Sequence, residues 1–434
     1  MVVILKSGAT TGLNGYIVKV EIYVSRGLSN FLLVGLADTA VKEAKQRVRA
    51  AIENCHFKFP KGRITVNLAP AHIKKAGAAF DLAIAIGLLI ASKQLKTETV
   101  TEYLLAGELS LTGELRPVRG LLPVAIAAQK ANLKLILPVA NQSEAAALKG
   151  LKAYAARNLA EVAEHLQSQT PFLVPVKFKL SQPKQTDEVD FADIKGQLQA
   201  KRALEIAAAG GHNVLMVGPP GAGKTILARR LPTILPPLNE EEAIEVSKVY
   251  SVAGLLSHNG GLINKRPFRA PHHTISPAGL VGGGSNTRPG EISLSHLGVL
   301  FLDELPEFSK NVLQVLRQPL EDGVVTIARA NSVQTYPARF ILVGAMNPCP
   351  CGYFGDEKKP CLCPPGKIQA YRRRLSGPLL DRFDIHIAVP RLAKSELLED
   401  VKAEPSSVIA QRVLQARVRQ QKRFNSPFGS NSLM

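Results

Sequence analysis

The stretch Gly218-Pro219-Pro220-Gly221-Ala222-Gly223-Lys224-Thr225 decides the fold of this chain. It fits the phosphate-loop pattern, in which Gly, four further residues and Gly-Lys-Ser/Thr close around phosphate oxygens. The apolar run Asn213–Val217 before it is typical of a buried parallel strand, and Ile226–Arg230 after it begins a predicted helix. The alternative is a glycine-rich turn that matches the pattern by chance. Such a turn would not require a strand before it or a helix after it. The stretch therefore predicts a nucleoside-triphosphate site in an α/β domain.

Two side chains at the end of this loop carry the expected chemistry. Lys224 is expected to reach the β- and γ-phosphates, and the Thr225 hydroxyl is expected to bind Mg²⁺. The glycines allow backbone N–H groups to approach phosphate, and the helix N-terminus adds a positive dipole. ATP and Mg²⁺ are therefore the predicted cofactors.

A second apolar strand is predicted at Leu297–Leu302, and it ends in Asp303-Glu304. Carboxylates at the C-terminal end of a parallel strand lie at the ligand edge of the sheet. Because adjacent residues on a strand point in opposite directions, the two acids can have different roles. We expect Asp303 to hold Mg²⁺ and Glu304 to activate the attacking water.

Two further residues are candidates for roles in ATP hydrolysis. Arg339–Met346 reads as a third buried strand that ends in Asn347, which is expected to position water or contact the γ-phosphate; a helix-capping asparagine is the alternative. Arg382 lies in the turn Ser376–Asp384 and is expected to act as an arginine finger on a neighbouring subunit's nucleotide. The alternative for Arg382 is a structural salt bridge to Asp381 or Asp384.

The composition limits the possible partners. The chain has 434 residues, enough for two or three domains, with a formal charge of +19 and a pI of about 9.8. This charge favours a polyanionic partner, although an ordinary basic protein has the same composition. The apolar start Met1–Leu5 is too short for a signal peptide, and Phe80–Ser92 is too short to span a bilayer. A cytoplasmic protein without a membrane partner is expected.

Changes in pattern along the chain predict the domain organisation. Residues 1–169 alternate predicted strands and helices as an α+β domain, and 170–189 form a proline-containing linker. Residues 190–390 form the ATPase domain. The basic helical segment 391–434 reads as the start of a helical lid. This lid looks truncated, which puts ATP turnover by the chain in doubt.

The first domain resembles the Lon-protease-type domain of the ribosomal S5 fold. The segments that carry the resemblance are Gly77–Ala83 and Leu115–Gly120 with the helix that follows. The resemblance places the peptidase nucleophile at Ala79 and the base at Val124, where neither side chain can perform the reaction. A non-proteolytic binding or assembly domain is therefore expected. Its basic residues are expected to face nucleic acid or, equally well, solvent; these are Lys61, Arg63, Lys74 and Lys75.

The second domain resembles AAA+ ATPases, and within them the magnesium-chelatase-like branch. Two insertions carry the closer resemblance: Arg266–Ser276 with Gly279–Glu291, and the predicted β-hairpin in Gly323–Phe340. The resemblance implies that such hairpins line the pore of a ring and that Arg288 and Arg329 face a polyanion. Gly282–Gly284 is expected to form a flexible tip. The resemblance also implies that Ile194 and Gly196 lie against the adenine.

Histidines and cysteines raise the question of metal binding. His272 and His273 are adjacent on a loop, where hydrogen bonding is favoured over chelation. The pairs Cys349-Pro350-Cys351 and Cys361-Leu362-Cys363 can supply four thiolates to one structural Zn²⁺, with reduced thiols or redox chemistry as alternatives. Cys55 stands apart in a predicted helix and is expected in the core.

The order of all these motifs resembles the ComM/YifB family of magnesium-chelatase-like proteins. The resemblance implies a hexameric, ATP-dependent motor on branched or single-stranded DNA, with branch migration in homologous recombination during natural transformation. Three alternatives remain open. They are a magnesium chelatase ATPase subunit, a protein-remodelling or protease-associated ATPase, and a nucleotide-regulated binding module without motor activity.

Overall fold

The computed structural model divides the chain into two compact units. The first contains Met1–Gln182 and Ser247–Ile263, and the second contains Pro183–Val246 and Asn264–Met434. The sequence pattern predicted 190–390 as one domain, whereas Ser247–Ile263 groups with the first unit. The structure describes residues 2–36, 38, 41, 43–73, 75, 77–168, 173–177, 189–256, 261–284, 287–329, 332–356, 358–392, 403–425 and 430–433.

The first unit is built on a seven-stranded mixed sheet. Its strands are β1 (Val2–Thr11), β2 (Asn14–Ser25), β3 (Asn30–Val34), β4 (Arg63–Ala69), β5 (Tyr103–Leu105), β8 (Lys134–Pro138) and β9 (Ala153–Ala156), and β6 (Glu108–Leu109) and β7 (Leu115–Arg116) form a separate hairpin. The sheet order is β3-β4-β2-β1-β5-β8-β9. The sequence pattern did not predict β1, which pairs antiparallel with β2 over its full length.

Five helices accompany this sheet: α1 (Ala44–Asn54), α2 (Asp81–Ala91), α3 (Leu121–Lys130), α4 (Gln142–Ala146) and α5 (Leu159–Gln167). Helix α2 is apolar on all sides, which is typical of a helix buried in a core, and Asp81 is its one acidic residue. The Arg47 guanidinium donates to both Asp81 carboxylate oxygens, at 2.7 and 3.1 Å. Burial raises the pKa of Asp81 to about 6, against the opposing effect of Arg47.

Helix α8 (Glu240–Ala253) contributes its C-terminal half to the first unit. Ser251 Oγ donates to the buried Glu144 carboxylate at 2.5 Å, and that carboxylate also accepts the Leu122 N–H at 3.0 Å. Asn141 Nδ2 donates to its other oxygen at 2.6 Å. Both oxygens of this buried carboxyl group thus have hydrogen-bond partners, which is the condition under which an internal polar group is tolerated.

The predicted basic surface of the first unit needs one correction. Lys75 is fully buried, and its ammonium donates to the Pro70 carbonyl. Lys61 and Arg63 are exposed as expected, while Lys74 lies outside the described residues. Adjacent lysines in the sequence therefore do not establish a basic surface, because the sequence pattern does not indicate which side chain turns inward.

The second unit contains a five-stranded parallel sheet in the order β11-β14-β17-β10-β18. Its strands are β10 (Val214–Val217), β11 (Phe268–Arg269), β14 (Val299–Leu302), β17 (Ile341–Met346) and β18 (Ile385–Ala388), and two hairpins are formed by β12 (Gly282–Gly283) with β13 (Arg288–Pro289) and by β15 (Val324–Arg329) with β16 (Ser332–Pro337). The central strands are buried runs of apolar residues, as expected for a parallel sheet covered on both faces.

The helices of this unit are α6 (Leu198–Gly210), α7 (Lys224–Ile234), the first half of α8, α9 (Pro277–Val281), α10 (Glu291–Leu294), α11 (Lys310–Val315), α12 (Arg317–Asp322), α13 (Pro365–Arg372), α14 (Gly377–Leu380) and α15 (Ser406–Phe424). Helix α15 packs against α6 and α7, and Arg417 Nε donates to the Ala208 carbonyl at 2.9 Å. Part of the predicted lid, residues 393–402, lies outside the described residues, as does most of the predicted linker.

One short hairpin corrects an expectation. Gly282 and Gly283 are not a free tip, because they pair with Pro289 and Arg288 as β12. Gly282 has a φ of +111°, and a Cβ atom there would lie 2.3 Å from the Arg288 carbonyl oxygen. Glycine is therefore required for strand pairing at this site and not for mobility. Among the described residues, no helix has both the length and the apolar character needed to cross a membrane.

Candidate active site

The Lys224 ammonium lies inside the phosphate loop. It donates to the carbonyl oxygens of Gly218 at 2.7 Å and Pro219 at 3.0 Å, and to Asn347 Oδ1 at 3.2 Å. The residue is 8% exposed, and this burial lowers the pKa of Lys224 while the nearby carboxylates oppose that shift. The sequence-predicted lysine and asparagine therefore meet, although they are far apart in the chain. A γ-phosphate oxygen bound there would replace weak carbonyl acceptors with a charged one.

Thr225 and Asp303 also meet at this edge of the sheet. The Thr225 hydroxyl donates to Asp303 Oδ2 at 2.7 Å. Thr225 is the second residue of α7, while Asp303 follows β14 directly, so two separate elements bring their oxygens together. Hydroxyl and carboxylate oxygens are the ligands that Mg²⁺ prefers, and both residues fit the predicted magnesium site.

Glu304 points away from its neighbour Asp303 because its backbone is left-handed, with a φ of +52°. Its side chain is 58% exposed, and one carboxylate oxygen lies 3.6 Å from His273 Nδ1. The Glu304 N–H donates to Asp303 Oδ1 at 2.9 Å, which holds the turn. The position is open enough for Glu304 to reach a water molecule, and a non-glycine residue at positive φ is a form of backbone strain found at functional sites.

His273 is a site residue that the sequence analysis did not place. Its ring lies against His272, with centroids 4.1 Å apart and ring planes tilted by 34°, and packs edge-on against Phe308. His272 Nδ1 is 2.9 Å from Thr274 Oγ1, which agrees with the predicted hydrogen bonding in this loop. No sequence signal placed it there, because the histidines reach the site through β11, a two-residue strand that pairs with β14 just before Asp303.

Arg382 lies at the opposite edge of the sheet from the phosphate loop. It precedes β18, and its carbonyl accepts a 2.9 Å hydrogen bond from Asn213 Nδ2 just before β10. The guanidinium forms an ion pair with Glu321, not with Asp381 or Asp384, the partners that the sequence suggested. Because parallel strands start at one edge and end at the other, Arg382 does not join the nucleotide site of its own chain.

Gln197 is a second residue that the sequence analysis missed. It has a φ of +53° and is buried, and its amide donates to the carbonyls of Pro390 at 2.7 Å and Ala222 at 3.3 Å. It therefore ties the phosphate loop to the segment after β18. The two nearby residues that were predicted to contact adenine have other surroundings. Ile194 is buried in the core, and Gly196 lies against Leu392.

The two insertions pack together through a few contacts. Tyr336 of β16 is buried, and its hydroxyl donates to the Thr287 carbonyl at 2.9 Å. A Cβ atom on Gly283 would lie 3.5 Å from an Arg329 guanidinium nitrogen, and Gly283 pairs directly with Arg288. Both arginines are exposed. The predicted basic residues of the two insertions are thus neighbours on adjacent hairpins.

The four clustered cysteines converge as the sequence predicted. All four sulfurs lie within 4.8 Å of one another, and Cys349 Sγ is 3.3 Å from Cys351 Sγ and 3.6 Å from Cys361 Sγ. Backbone N–H groups of Phe354 and Cys363 point at Cys349 and Cys361, at 3.3 and 3.4 Å. The pKa of Cys351 is lowered to about 6, mainly by the hydrogen bond from the Tyr353 backbone N–H. Cys55 packs against the core of the first unit, as expected.

In the first unit, Ala79 and Val124 line one small cavity. Thr10 and Arg119 also line it, but its lining includes no lysine, histidine or carboxylate that could act as a base. The two positions that the Lon-type resemblance assigned to nucleophile and base therefore lie together, with an apolar side chain at each.

Comparisons with known proteins agree with this geometry. A family model described as "Magnesium chelatase, subunit ChlI" matches residues 190–397, and one described as "Subunit ChlI of Mg-chelatase" matches residues 20–141. Protein YifB of Escherichia coli is 45% identical over 430 residues, which cover 97% of this chain and 83% of the relative. Competence protein ComM of Haemophilus influenzae is 46% identical over 427 residues, again 97% of this chain and 83% of the relative. These matches, with the phosphate loop and parallel sheet, show that the chain belongs to the ComM/YifB family of magnesium-chelatase-like AAA+ ATPases.

Proposed function

We propose that this protein is an ATP-hydrolysing ring motor that remodels DNA, with branch migration during recombination of incoming DNA as its task. The observation that carries the proposal is the pairing of two features in one unit. One is the convergence of Lys224, Thr225, Asp303 and Asn347 at the nucleotide edge. The other is the pair of exposed arginines on adjacent hairpins. A motor needs both a hydrolytic centre and a surface that grips its substrate.

The positions of the side chains support the following hydrolytic steps. Lys224 would exchange its carbonyl acceptors for phosphate oxygens, and Thr225 and Asp303 would hold Mg²⁺, which when bound would neutralise charge on the phosphates. Glu304 takes a proton from the attacking water, while Asn347 orients that water from the neighbouring strand. Arg382 of an adjacent subunit stabilises the charge that develops on the transferred phosphoryl group.

The proposed substrate is branched or single-stranded DNA, encircled by a homo-hexamer. Arg288 and Arg329 would contact backbone phosphates, which is sequence-independent binding of the kind a translocating motor needs. The net charge of +19 supports a polyanionic partner. The name of the ComM relative, a competence protein, supports a task in natural transformation. Such a task belongs to the cytoplasm.

The direct test of this proposal is migration of a synthetic four-way junction by the purified protein with ATP and Mg²⁺. We expect the junction to be resolved into product duplexes, and Lys224→Ala protein to bind DNA without resolving it. The affinity for DNA should fall steeply with salt, because phosphate contacts release counterions. Junctions that remain unbound at low salt would refute the DNA assignment.

Two other substrates are each favoured by a specific observation. The magnesium-chelatase family match favours an ATPase that drives metal insertion into a porphyrin. The resemblance of the first unit to a peptidase domain favours a protein-remodelling motor. ATPase stimulation by a porphyrin with its partner subunits, or by an unfolded protein, and not by DNA would select one of these instead.

We further propose that the first unit is a Lon-type domain that has lost peptidase activity. The support is the cavity on which Ala79 and Val124 meet, since a methyl and an isopropyl group replace the nucleophile and the base. We expect no cleavage of casein or of fluorescent peptides by the protein. Cleavage by the wild-type protein would contradict the assignment, and its loss in Thr10→Ala protein would identify Thr10 as a displaced nucleophile.

We also propose that Cys349, Cys351, Cys361 and Cys363 bind one structural Zn²⁺. Four sulfurs at about 2.3 Å from a tetrahedral zinc are about 3.8 Å apart, close to the spacing seen here. Hydrogen bonds between neutral thiols also allow this spacing, but two backbone N–H groups directed at sulfur favour thiolates, the form that binds a metal. Elemental analysis is expected to find about one zinc per chain, and a zinc-free native protein would refute the site.

A further inference from the structure

The loop that carries the four cysteines rests directly on the phosphate loop. We call residues Cys349–Cys363 the cysteine loop. Its Gly352 is buried with a φ of +86°, and a Cβ atom there would lie only 2.7 Å from Cδ of Pro220. The backbone of Gly352 is therefore in van der Waals contact with the Pro220 ring, in the middle of Gly218–Thr225.

A second contact joins the same two loops through Arg391. Its guanidinium donates to the Pro220 carbonyl at 3.3 Å and lies 3.9 Å from the Asp356 carboxylate. It also lies over the Tyr353 ring, 5.9 Å from the centroid. Tyr353 and Asp356 belong to the cysteine loop, so Arg391 contacts both that loop and the Pro220 carbonyl of the phosphate loop.

The cysteine loop also begins at the nucleotide site. Cys349 is two residues after Asn347, whose side chain accepts from Lys224. Pro348 between them is held by Arg372 Nε, which donates to its carbonyl at 3.4 Å. A change in the position of the cysteines would therefore reach Asn347 through two peptide bonds.

The described part of this loop has turns and bends but neither helix nor strand. It buries little apolar surface of its own, since Phe354 and Leu362 are exposed. A segment of this kind loses its conformational freedom only if something else holds it, and four thiolates around one metal ion supply such a constraint. The support that the loop gives to Pro220 should thus depend on the cluster.

We propose that a thiophilic divalent metal in the cysteine cluster fixes the phosphate loop, so that metal occupancy controls ATP binding. This inference rests on the proposed zinc site and the proposed ATP site, and it adds a coupling between them. Neither site by itself requires the other, because the four sulfurs are not ligands of the nucleotide. The consequence is a nucleotide site that weakens when the metal is withdrawn.

The glycines of the loop provide a matched pair of variants that leave all four cysteines in place. Gly352→Ala adds a methyl group against Pro220, and Gly355→Ala adds one where no atom lies within 4 Å. Both positions have similar positive φ values, +86° and +78°, so the backbone cost of alanine is shared. A difference between the variants reports the packing against Pro220 and not the strain.

The experiment measures zinc per chain by elemental analysis, dissociation of a fluorescent ATP analogue by anisotropy, and thermal unfolding as a control for folding. We expect chelation of wild-type protein to weaken binding of the analogue by about tenfold or more, and added Zn²⁺ to restore it. Gly352→Ala should keep its zinc but bind the analogue about tenfold more weakly. Gly355→Ala should match wild type in both.

Each failure has its own signature. Protein that neither contains nor takes up zinc overturns the zinc site and this inference with it. Zinc-loaded wild-type protein that does not bind the analogue overturns the ATP site and, again, the coupling. If both ligands bind but chelation leaves the dissociation constant unchanged, or if the two glycine variants behave alike, the coupling alone is wrong.

Discussion

Asp303 and Glu304 are adjacent in sequence, yet their side chains have separate surroundings. Asp303 accepts from Thr225 on the phosphate-loop side, while the left-handed backbone of Glu304 turns its carboxylate towards His273. This separation suits one acid for holding a metal and the other for moving a proton. The sequence predicted two roles from strand alternation, whereas the structure achieves the separation by a turn.

The first prediction concerns Glu304 as the base. Glu304→Gln removes the proton acceptor but keeps the shape, so ATP should still bind while turnover falls by about a hundredfold or more. Glu307→Gln is the matched control, because Glu307 lies three residues later and pairs with Arg374 at 2.8 Å. Binding of a fluorescent ATP analogue and steady-state phosphate release measure the two steps. Wild-type turnover in Glu304→Gln would assign the base elsewhere.

The second prediction concerns His273, whose Nδ1 lies 3.6 Å from the Glu304 carboxylate. Partly exposed polar contacts contribute at most about 1 kcal/mol, so His273→Ala should change ATP turnover without DNA by no more than about fivefold. His272→Ala, which removes the hydrogen bond to Thr274, should leave that rate unchanged. A fall in turnover as large as that of Glu304→Gln would instead make His273 necessary for the base.

At the scale of elements, the hairpins β12–β13 and β15–β16 show how two insertions distant in sequence become one surface. Buried Tyr336 anchors one hairpin to the other, and an Arg329 guanidinium nitrogen lies 3.5 Å from the position that a Cβ atom on Gly283 would take. Because the anchor is internal and the arginines are exposed, charge on this surface can be changed without loss of the fold. The surface is therefore suited to mutational tests of substrate binding.

The third prediction tests this surface. Arg329→Ala should weaken DNA binding and reduce the slope of log affinity against log salt by about one for each phosphate that is no longer neutralised. Arg373→Ala removes an equally exposed arginine next to α13 and serves as the control for total charge. Fluorescence anisotropy at several salt concentrations gives both slopes. Equal losses of affinity in the two variants would mean that the effect comes from net charge alone.

The sequence predicts those strands whose signal, a run of apolar residues, is local. The apolar runs of β10, β14 and β17 are buried on both faces, so they stand out from flanking polar residues. The two-residue strands β11 and β12 have no period to detect, and pairing forms them only in the folded chain. The pair Cys349/Cys351 was visible as a metal-ligand pattern, but the packing of Gly352 against Pro220 depends on tertiary structure.

At the scale of the whole molecule, the position of Arg382 bears on assembly. It lies at the edge where β10 and β18 begin, whereas the phosphate loop follows the end of β10. The ion pair with Glu321 involves two partly exposed side chains and is worth little, so Arg382 can exchange this partner at low cost. An arginine that cannot serve its own site is suited to the site of an adjacent copy.

The fourth prediction follows from this geometry. Arg382→Ala should bind ATP normally but lose most turnover, by about a thousandfold if the residue acts as an arginine finger. Mixing it with Lys224→Ala, which lacks a working site but retains Arg382, should restore part of the activity in mixed rings. Glu321→Ala is the control, because it removes only the resting partner. A mixture as inactive as its components would contradict action between subunits.

The central claim, that hydrolysis at this site is coupled to DNA, is tested most directly by steady-state ATP turnover with and without branched DNA. We expect severalfold stimulation that declines as salt rises and is absent in Lys224→Ala protein. A measurable rate of turnover that branched and single-stranded DNA leave unchanged at low salt would contradict it.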